Sequence, residues 1–496
     1  LPYLADLEQS GIPTALLTYN EEIRKVEHDS VLWGVPKLRY VEASRSSPGG
    51  VEEADKVMPL LLDGLTRPLT QKEKERGRWA PKEPRILFEG TLDEAQEFYQ
   101  QTESLPGLLG APFSKYTDGL PIIIPTEERV AEMLKHTSHK PDELITLQRD
   151  VEETAGMSRM PRKTDKFMPL GKRITFKKGE PVRFMPMGRV ATVEQVAVNA
   201  VMAGCKPEYF PAVLAIAESD PGSGGGGRGG AAYIVSGPVY KEIGMNVSYG
   251  MFDPCNPANM TLGRVGNLLW RNLGGYKESV TTVTTGLGNA VTSRGFIFAE
   301  CTEKLPVGWQ GLNEEMGFRK DESIIMTAHP GAWGLGQEHM PGVYRSLQRT
   351  GHGAIARYLG VKGIVGPHNY LEFLTRGIWA CREGGFTLVL VPQMAQDLYD
   401  YGFKTKDEIY EWIWKKSFEP LGEYRMRGTP DEHTNGWMGI ERTSGKHWKE
   451  LSDDYMVPAG GYGPWDYCIL VADCQETASL RFSGGHGQAY SIDAWR

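Results

Sequence analysis

Tyr3-Leu-Ala-Asp-Leu-Glu-Gln-Ser-Gly-Ile-Pro-Thr-Ala-Leu-Leu-Thr18 is the stretch that decides the fold class. Apolar side chains at 4 and 7, beside Tyr3, suggest the end of a helix with Gly11 as its stop, and residues 14–18 read as a buried strand. Helix, short turn and apolar β-rich run make half of a parallel α/β unit. Strand 14–18 then needs a parallel neighbour for its backbone groups. The chain opens Leu1-Pro2-Tyr3, without Met and without a signal-peptide pattern. The expectation is a companion polypeptide, either a small subunit or an N-terminal fragment, docked against residues 1–60. The competing reading takes 1–20 as the ordered start of a complete protein.

Working outward, 51–66 is an amphipathic stretch, and 67–84 is polar, Pro-punctuated and read as a linker. Arg85-Ile-Leu-Phe88 looks like a short strand, Leu92–Gln101 a helix, and about 126–135 another helix. Residues 136–180 are charged and poorly periodic. The run Gly222–Gly230 lies between a helix at 211–218 and a strand at 231–235. It lacks the Lys-Ser/Thr of a P-loop and reads as a flexible loop rather than a phosphate cradle. No repeat of 20–50 residues is present. The expected fold is α/β and multi-domain, with parallel or mixed sheets flanked by helices and a loop-rich C-terminal extension. Its parts are a partial Rossmann-like unit at 1–66, the linker 67–84, a small α/β segment at 85–180, the main α/β domain at 181–425, and an aromatic extension at 426–496.

Composition narrows the function classes. The 496 residues exceed one ordinary core, and 40 % apolar with 24 % charged residues exclude a wholly disordered chain. Gly at 59 residues, about 12 % against an average of roughly 7 %, points to long shaped loops. A net charge of −8 gives no support for a nucleic-acid or anionic-membrane surface. No uninterrupted apolar run is long enough for a membrane helix. Six Cys without any C-x-x-C remove the disulfide-scaffold, thioredoxin and zinc-ribbon readings, and a reducing, cytoplasmic setting is the simplest.

Three constellations can carry chemistry. Thr192 with Gln195 is a capping box, Gly204 a helix stop and Pro207 the opening of the next turn, which puts Cys205 in the joint between two helices. A packed thiol and a functional one are both open there. Asn256-Pro257 reads as N-cap and first helical residue, with 262, 265, 268, 269 and 273 on the buried face and a helix end at 272–275. Its N-terminus, with Asn259 and Arg264, suits a carboxylate or phosphate, against the plainer account of a well-capped core helix. His329, His339, His352 and His368 fall close together but match no standard zinc spacing, which leaves metal binding the weaker account. No G-x-S-x-G elbow is present.

Tyr116–Val130, Thr192–Glu208, Asn256–Arg264, Phe298-Ala-Glu300 and the helix-forming Gly402–Phe418 segment resemble the UGSC-type (seleno)protein family, over most of residues 1–425. The resemblance implies thiol or selenol redox chemistry from a Sec/Cys-Gly-Ser-Cys motif, expected just upstream of Leu1 on the companion chain. It also implies that Asp118, Asn199, Cys205, Asn256, Asn259, Arg264 and Glu300 line a cleft. Asp118 or Glu300 would be the acid/base group, Cys205 a thiol, and Arg264 an anion clamp, with Asn199, Asn256 and Asn259 as binding groups. The family tends to have Gly at Cys255.

The leading expectation is therefore an enzyme acting on a small anionic substrate by redox or nucleophilic chemistry, this chain supplying the cleft. The alternatives are a redox-independent hydrolase or lyase using paired carboxylates, with or without metal, and a non-catalytic subunit of an assembly. No cofactor is implied. Trp437, Trp448, Trp465 and Trp495, with Tyr455, Tyr462, Tyr467 and Tyr490, give the tail an aromatic surface that suits either homo-oligomerisation or packing on the chain's own core.

Overall fold

The computed structural model describes residues 4, 7–8, 10–19, 23–32, 34–35, 37–43, 51–74, 85–104, 112–154, 173–185, 188–219, 232–276, 295–328, 371, 385–426, 441, 444–458, 463–474 and 479–496. The run Gly222–Gly230, the four clustered histidines, Trp437 and Tyr462 lie outside them.

At the N-terminal side, Gly11 turns at φ +82° and the Glu8 carboxylate accepts from both the amide (2.6 Å) and hydroxyl (2.9 Å) of Thr14. The chain enters β1 (Leu16–Tyr19), two residues later than expected. Then come α1 (Ile23–Leu32), β2 (Tyr40–Ala43), parallel to β1, and α2 (Val51–Thr66). The start of the expected linker is bound back onto this unit. Arg39 donates to the carbonyls of Gly64 and Arg67, and Glu73 accepts from Arg39 (3.2 Å) and Arg67 (2.7 Å).

Arg85–Phe88 is not a strand; Arg85 instead pairs with Glu194 (2.7 Å) and Glu127 (3.0 Å). Helix α3 (Leu92–Tyr99) starts at a Thr91/Glu94 capping box, and α4 (Glu127–Leu134) at Thr126. Around them run two antiparallel pairs, β3 (Thr102–Glu103) with β4 (Phe113–Ser114), and β5 (Val151–Thr154) with β6 (Arg173–Phe176). The aperiodic 136–180 stretch is tied down by isolated bridges, Leu144 to Thr192 and Thr146 to Pro181, with Ile145 fully buried between them.

The centre is built from a helical layer and two sheets. Helix α5 (Val193–Ala203) carries the expected capping box and ends at Gly204 with φ +87°, and α6 (Phe210–Glu218) follows a turn opened by Pro207. Strand β7 (Ala232–Ser236), α7 (Val239–Glu242), α8 (Pro257–Asn272), β8 (Phe296–Ala299), α9 (Leu312–Glu315) and β9 (Ile324–Ala328) come next. Then follow β10 (Phe386–Leu390), α10 (Pro392–Tyr401) and α11 (Lys406–Lys416), which starts four residues inside the Gly402–Phe418 segment. The tail is loop-rich, yet it is no outer wrap. It supplies β12 (Met456–Pro458), paired with β11 (Phe418–Pro420), and then β13 (Tyr467–Val471), β14 (Ser479–Ser483) and β15 (Gln488–Ser491).

The first sheet runs β15-β9-β7-β8, with β7 and β8 parallel and β9 antiparallel to both its neighbours. The second runs β13-β10-β14, with β10 parallel to β13. Alternate residues of the first sheet face opposite ways, as the pleat requires. Tyr233, Val235, Ile297 and Ile325 pack into the helical core with Val196, Leu214 and Leu262. Ile234, Phe298, Ile324 and Met326 pack into a second core with Leu388, Ile409 and Ile469. A sheet covered on both faces reads as unbroken apolar runs, which is what AYIVS, IIMTA, FTLVL and YCILV are. Trp465 and Tyr467 fill the second core, and Trp495 and Tyr490 the first. The fold is α/β with mixed sheets flanked by helices, and among the described residues no helix is long and apolar enough to cross a membrane.

Gly484-Gly-His-Gly487 carries the chain from the second sheet to the first. Two of its glycines leave no room for a side chain: a Cβ at Gly485 would strike the Asp466 carbonyl, and one at Gly487 the Thr327 carbonyl. Gly487→Ala should therefore cost about 3 kcal/mol or more in urea denaturation. Gly244→Ala, at φ +67° with open space around it, should cost only about 1 kcal/mol.

Candidate functional site

Strand β8 ends in Glu300, whose amide donates to Val235 (2.8 Å) and prolongs the β7–β8 ladder. The next amide, Cys301, donates to Val471 (2.8 Å) and joins the first sheet to β13 of the second. The Glu300 side chain is fully buried at this junction. Its Oε1 lies 2.9 Å from Lys406 Nζ, and its Oε2 accepts from Ser236 Oγ (3.0 Å) and the Leu312 amide (2.6 Å).

Lys406 is the first residue of α11, placed by the Thr405/Glu408 capping box, so its stem runs inward where the helix meets β13. Its ammonium also reaches Glu315 Oε2 at 3.0 Å. Glu315 Oε1 accepts from the Tyr410 hydroxyl (3.0 Å), which itself accepts the Ile469 amide (3.2 Å). The side chains of Glu300, Lys406 and Glu315 are 0, 2 and 3 % exposed. Asn313 braces the group: its amide donates to Ser236, and its Nδ2 donates to the carbonyls of Arg319, Lys320 and Glu322.

Burial disfavours the charged form of an acid. It pushes Glu315 up to about 7, against the pull of Lys406 and with the push of Glu300. For Lys406 burial acts against the charge, but Glu300 and Glu315 outweigh it and hold the ammonium above its ordinary value. Burial first, then Glu315, raises both Tyr410 and the neighbouring Cys468 thiol well above their usual ranges. The arrangement is two carboxylates sharing one ammonium, with a proton exchangeable near neutrality.

The other expected site residues divide among separate networks. Asp118 and Arg264 do meet, through two bonds of 2.8 Å, and Arg264 also donates to the carbonyls of Leu120 (3.3 Å) and Pro121 (2.9 Å). Arg264 thereby braces the Thr117–Pro121 turn, with Asp118 as its counter-ion. Cys205, against Thr261 and Arg264, is buried; burial lifts its thiol to about 12, so it stays protonated and unreactive at neutral pH.

Asn256 caps α8 through the Asn259 amide (3.0 Å) and donates to Gly244 (3.0 Å). Asn259 accepts from the Asn246 amide and donates to Asn246 and Met251. Asn199 donates to Gln195 and accepts from Asn272 (2.8 Å). These amides spend their hydrogen bonds on shape. Positions 262, 265, 268 and 269 of α8 are buried as expected, and the plainer account of a capped core helix describes it. The sequence reading found Glu300 but missed Lys406, Glu315, Tyr410 and Asn313. Their signal was faint: a lysine at a helix start and a glutamate in a short acidic turn both look solvated. Among the described residues no group of His, Cys, Asp and Glu is arranged to hold a metal.

Glu218 is a buried acid outside this group, accepting from the Gln148 amide and Trp495 Nε1 (2.7 Å each) and pushed up to about 7, first by burial. A carboxylate raised in the folded state binds its proton more tightly there than when unfolded. Stability is then greatest near and below pH 4.5 for that group and falls as pH rises through 7. Unfolding free energy should therefore decline between pH 5 and 8 by roughly 3 kcal/mol for each of Glu218 and Glu315. Glu218→Gln should remove one share of that slope, whatever its effect on absolute stability, in urea titrations across this range.

Comparison with family models, curated proteins and solved structures finds no match to the chain.

Proposed function

We propose that the chain is an enzyme that acts on a small organic substrate by acid–base chemistry, as a lyase or hydrolase would, with Glu315 and Glu300 moving the proton and Lys406 holding them. The observation that carries this reading is the sharing of one buried ammonium by two carboxylates at the C-terminal end of parallel strands, where α/β sheets bind ligands. A general acid or base works best with a pKa near the operating pH, and burial brings Glu315 there. The group is closed to solvent, so substrate reaches it only when the segment bearing Leu312 and Glu315 moves aside.

The resemblance to UGSC-type proteins favours a thiol or selenol route instead. That route gains little from Cys205, Cys301 and Cys468, which are buried and raised by that burial, and among the described residues it is left with exposed Cys255 and half-buried Cys474. An anionic substrate draws its support from Arg264, whose guanidinium is engaged by Asp118. Sparse cysteines without a C-x-x-C support a reducing, cytoplasmic setting.

The test is a panel of small hydroxy, oxo and unsaturated carboxylates and their amides, followed by proton NMR for consumption. One or more should be consumed, with kcat lowered about 100-fold or more in Glu315→Gln and the variant still folded by circular dichroism. Thiol alkylation should leave the rate unchanged. Turnover that survives Glu315→Gln and is abolished by alkylation would overturn the proposal in favour of the thiol route.

A further inference from the structure

The segment 311–323 supplies both the Leu312 amide that binds Glu300 and Glu315 itself, and it is gripped from two sides. Inside, Asn313 Nδ2 gathers the carbonyls of Arg319 (3.0 Å), Lys320 (3.1 Å) and Glu322 (2.9 Å), which folds the segment on itself. Gly237, at φ +99°, backs so closely onto Glu322 and Ser323 that no Cβ fits between them. Outside, the chain leaving β15 lies along the same residues. Ser491 Oγ donates to Glu322 Oε1 (2.7 Å), the Ser323 amide donates to Asp493 Oδ2 (2.7 Å), and the Ile492 amide donates to the Ser323 carbonyl (2.8 Å).

The far end of this strap is anchored in the helical layer. Trp495 is fully buried, its indole N–H donates to Glu218 Oε2 (2.7 Å), and its carbonyl accepts from Thr137 Oγ1 (2.7 Å). His139 Nε2 lies 3.0 Å from the Ala494 carbonyl, with its ring against the indole. The strap thus spans from a firm anchor at α6 to the segment that closes over the buried carboxylates.

We propose that residues 491–496 are a latch: Ser491 and Asp493 clamp Glu322 and Ser323, and through them hold segment 311–323 shut over Glu300 and Lys406. The clamping contacts come from Ser491, the last residue of β15, and from the chain just beyond it, so they can break while the rest of the β15–β9 ladder stays paired. The consequence for substrate entry rests on the acid–base reading; the latch itself does not.

Hydrogen–deuterium exchange on the full chain tests it without any turnover. In Ser491→Ala/Asp493→Ala, peptides covering 312–323 should exchange about tenfold faster or more, while those covering β10 and β13 keep wild-type rates. Asp493→Asn, which keeps an acceptor for the Ser323 amide, should restore most of the protection. The single change Ser491→Ala, milder still, should loosen the same peptides alone. Unchanged exchange over 312–323, or a rise shared equally by β10 and β13, would overturn the latch. Faster local exchange in a protein that consumes no substrate would support the latch and count against the acid–base reading alone.

Discussion

The bridge that Lys406 makes between Glu300 and Glu315 is the constraint to which the rest of the centre is fitted. Three charged groups lie beyond the reach of water, and each would cost several kcal/mol if left alone there. One ammonium cannot satisfy two carboxylates, so the excess negative charge is met by the Leu312 amide, Ser236 and Tyr410. These donors come from the end of β7, the segment after β8 and helix α11, while Ile469 of β13 fixes the Tyr410 hydroxyl. Each of these contacts ties one element to the buried group. The network therefore sets the distance between the two sheets more firmly than their shared apolar core, which tolerates small repacking.

Local signals in the sequence were the readable ones. Thr192 with Gln195, the stop at Gly204, Asn256 before Pro257, and the helices at 92–99 and 127–134 all rest on groups within a few residues of each other. Strands β9, β10 and β13 are different. Each is five residues, at least four of them apolar, buried on both faces, and such a run has no alternation to distinguish strand from buried helix. The tail looked loop-rich for the same reason, because its periodicity is hidden by pairing with strands far away in the chain. Arg85–Phe88 shows the converse error: its residues suit a strand, but among the described residues no strand pairs with them.

The site was half legible. Arg264 stands out from the packing residues of its helix, whereas Asp118 and Glu300 are marked only by the resemblance to UGSC-type proteins and not by their own spacing. What sequence could not supply was pairing. Lys406 and Glu315 become unusual only because folding carries them inward together, and an isolated lysine or glutamate gives no sign of its burial. The same limit made Asn199, Asn256 and Asn259 look like binding groups when their amides are consumed in capping and bracing.

The weaving of late strands into early ones bears on how the protein is made. Tyr490 pairs with Ile325 and Ile469 with Leu388, so β9 and β10 each wait for a partner synthesised long after them. Until the ribosome has delivered those residues, β9 and β10 lack partners that complete their sheets, and much of the second core has nothing to pack against. Such non-local pairing slows folding and leaves hydrophobic strands exposed to other chains in the meantime. This architecture therefore completes its two sheets only after β13 to β15 have been synthesised.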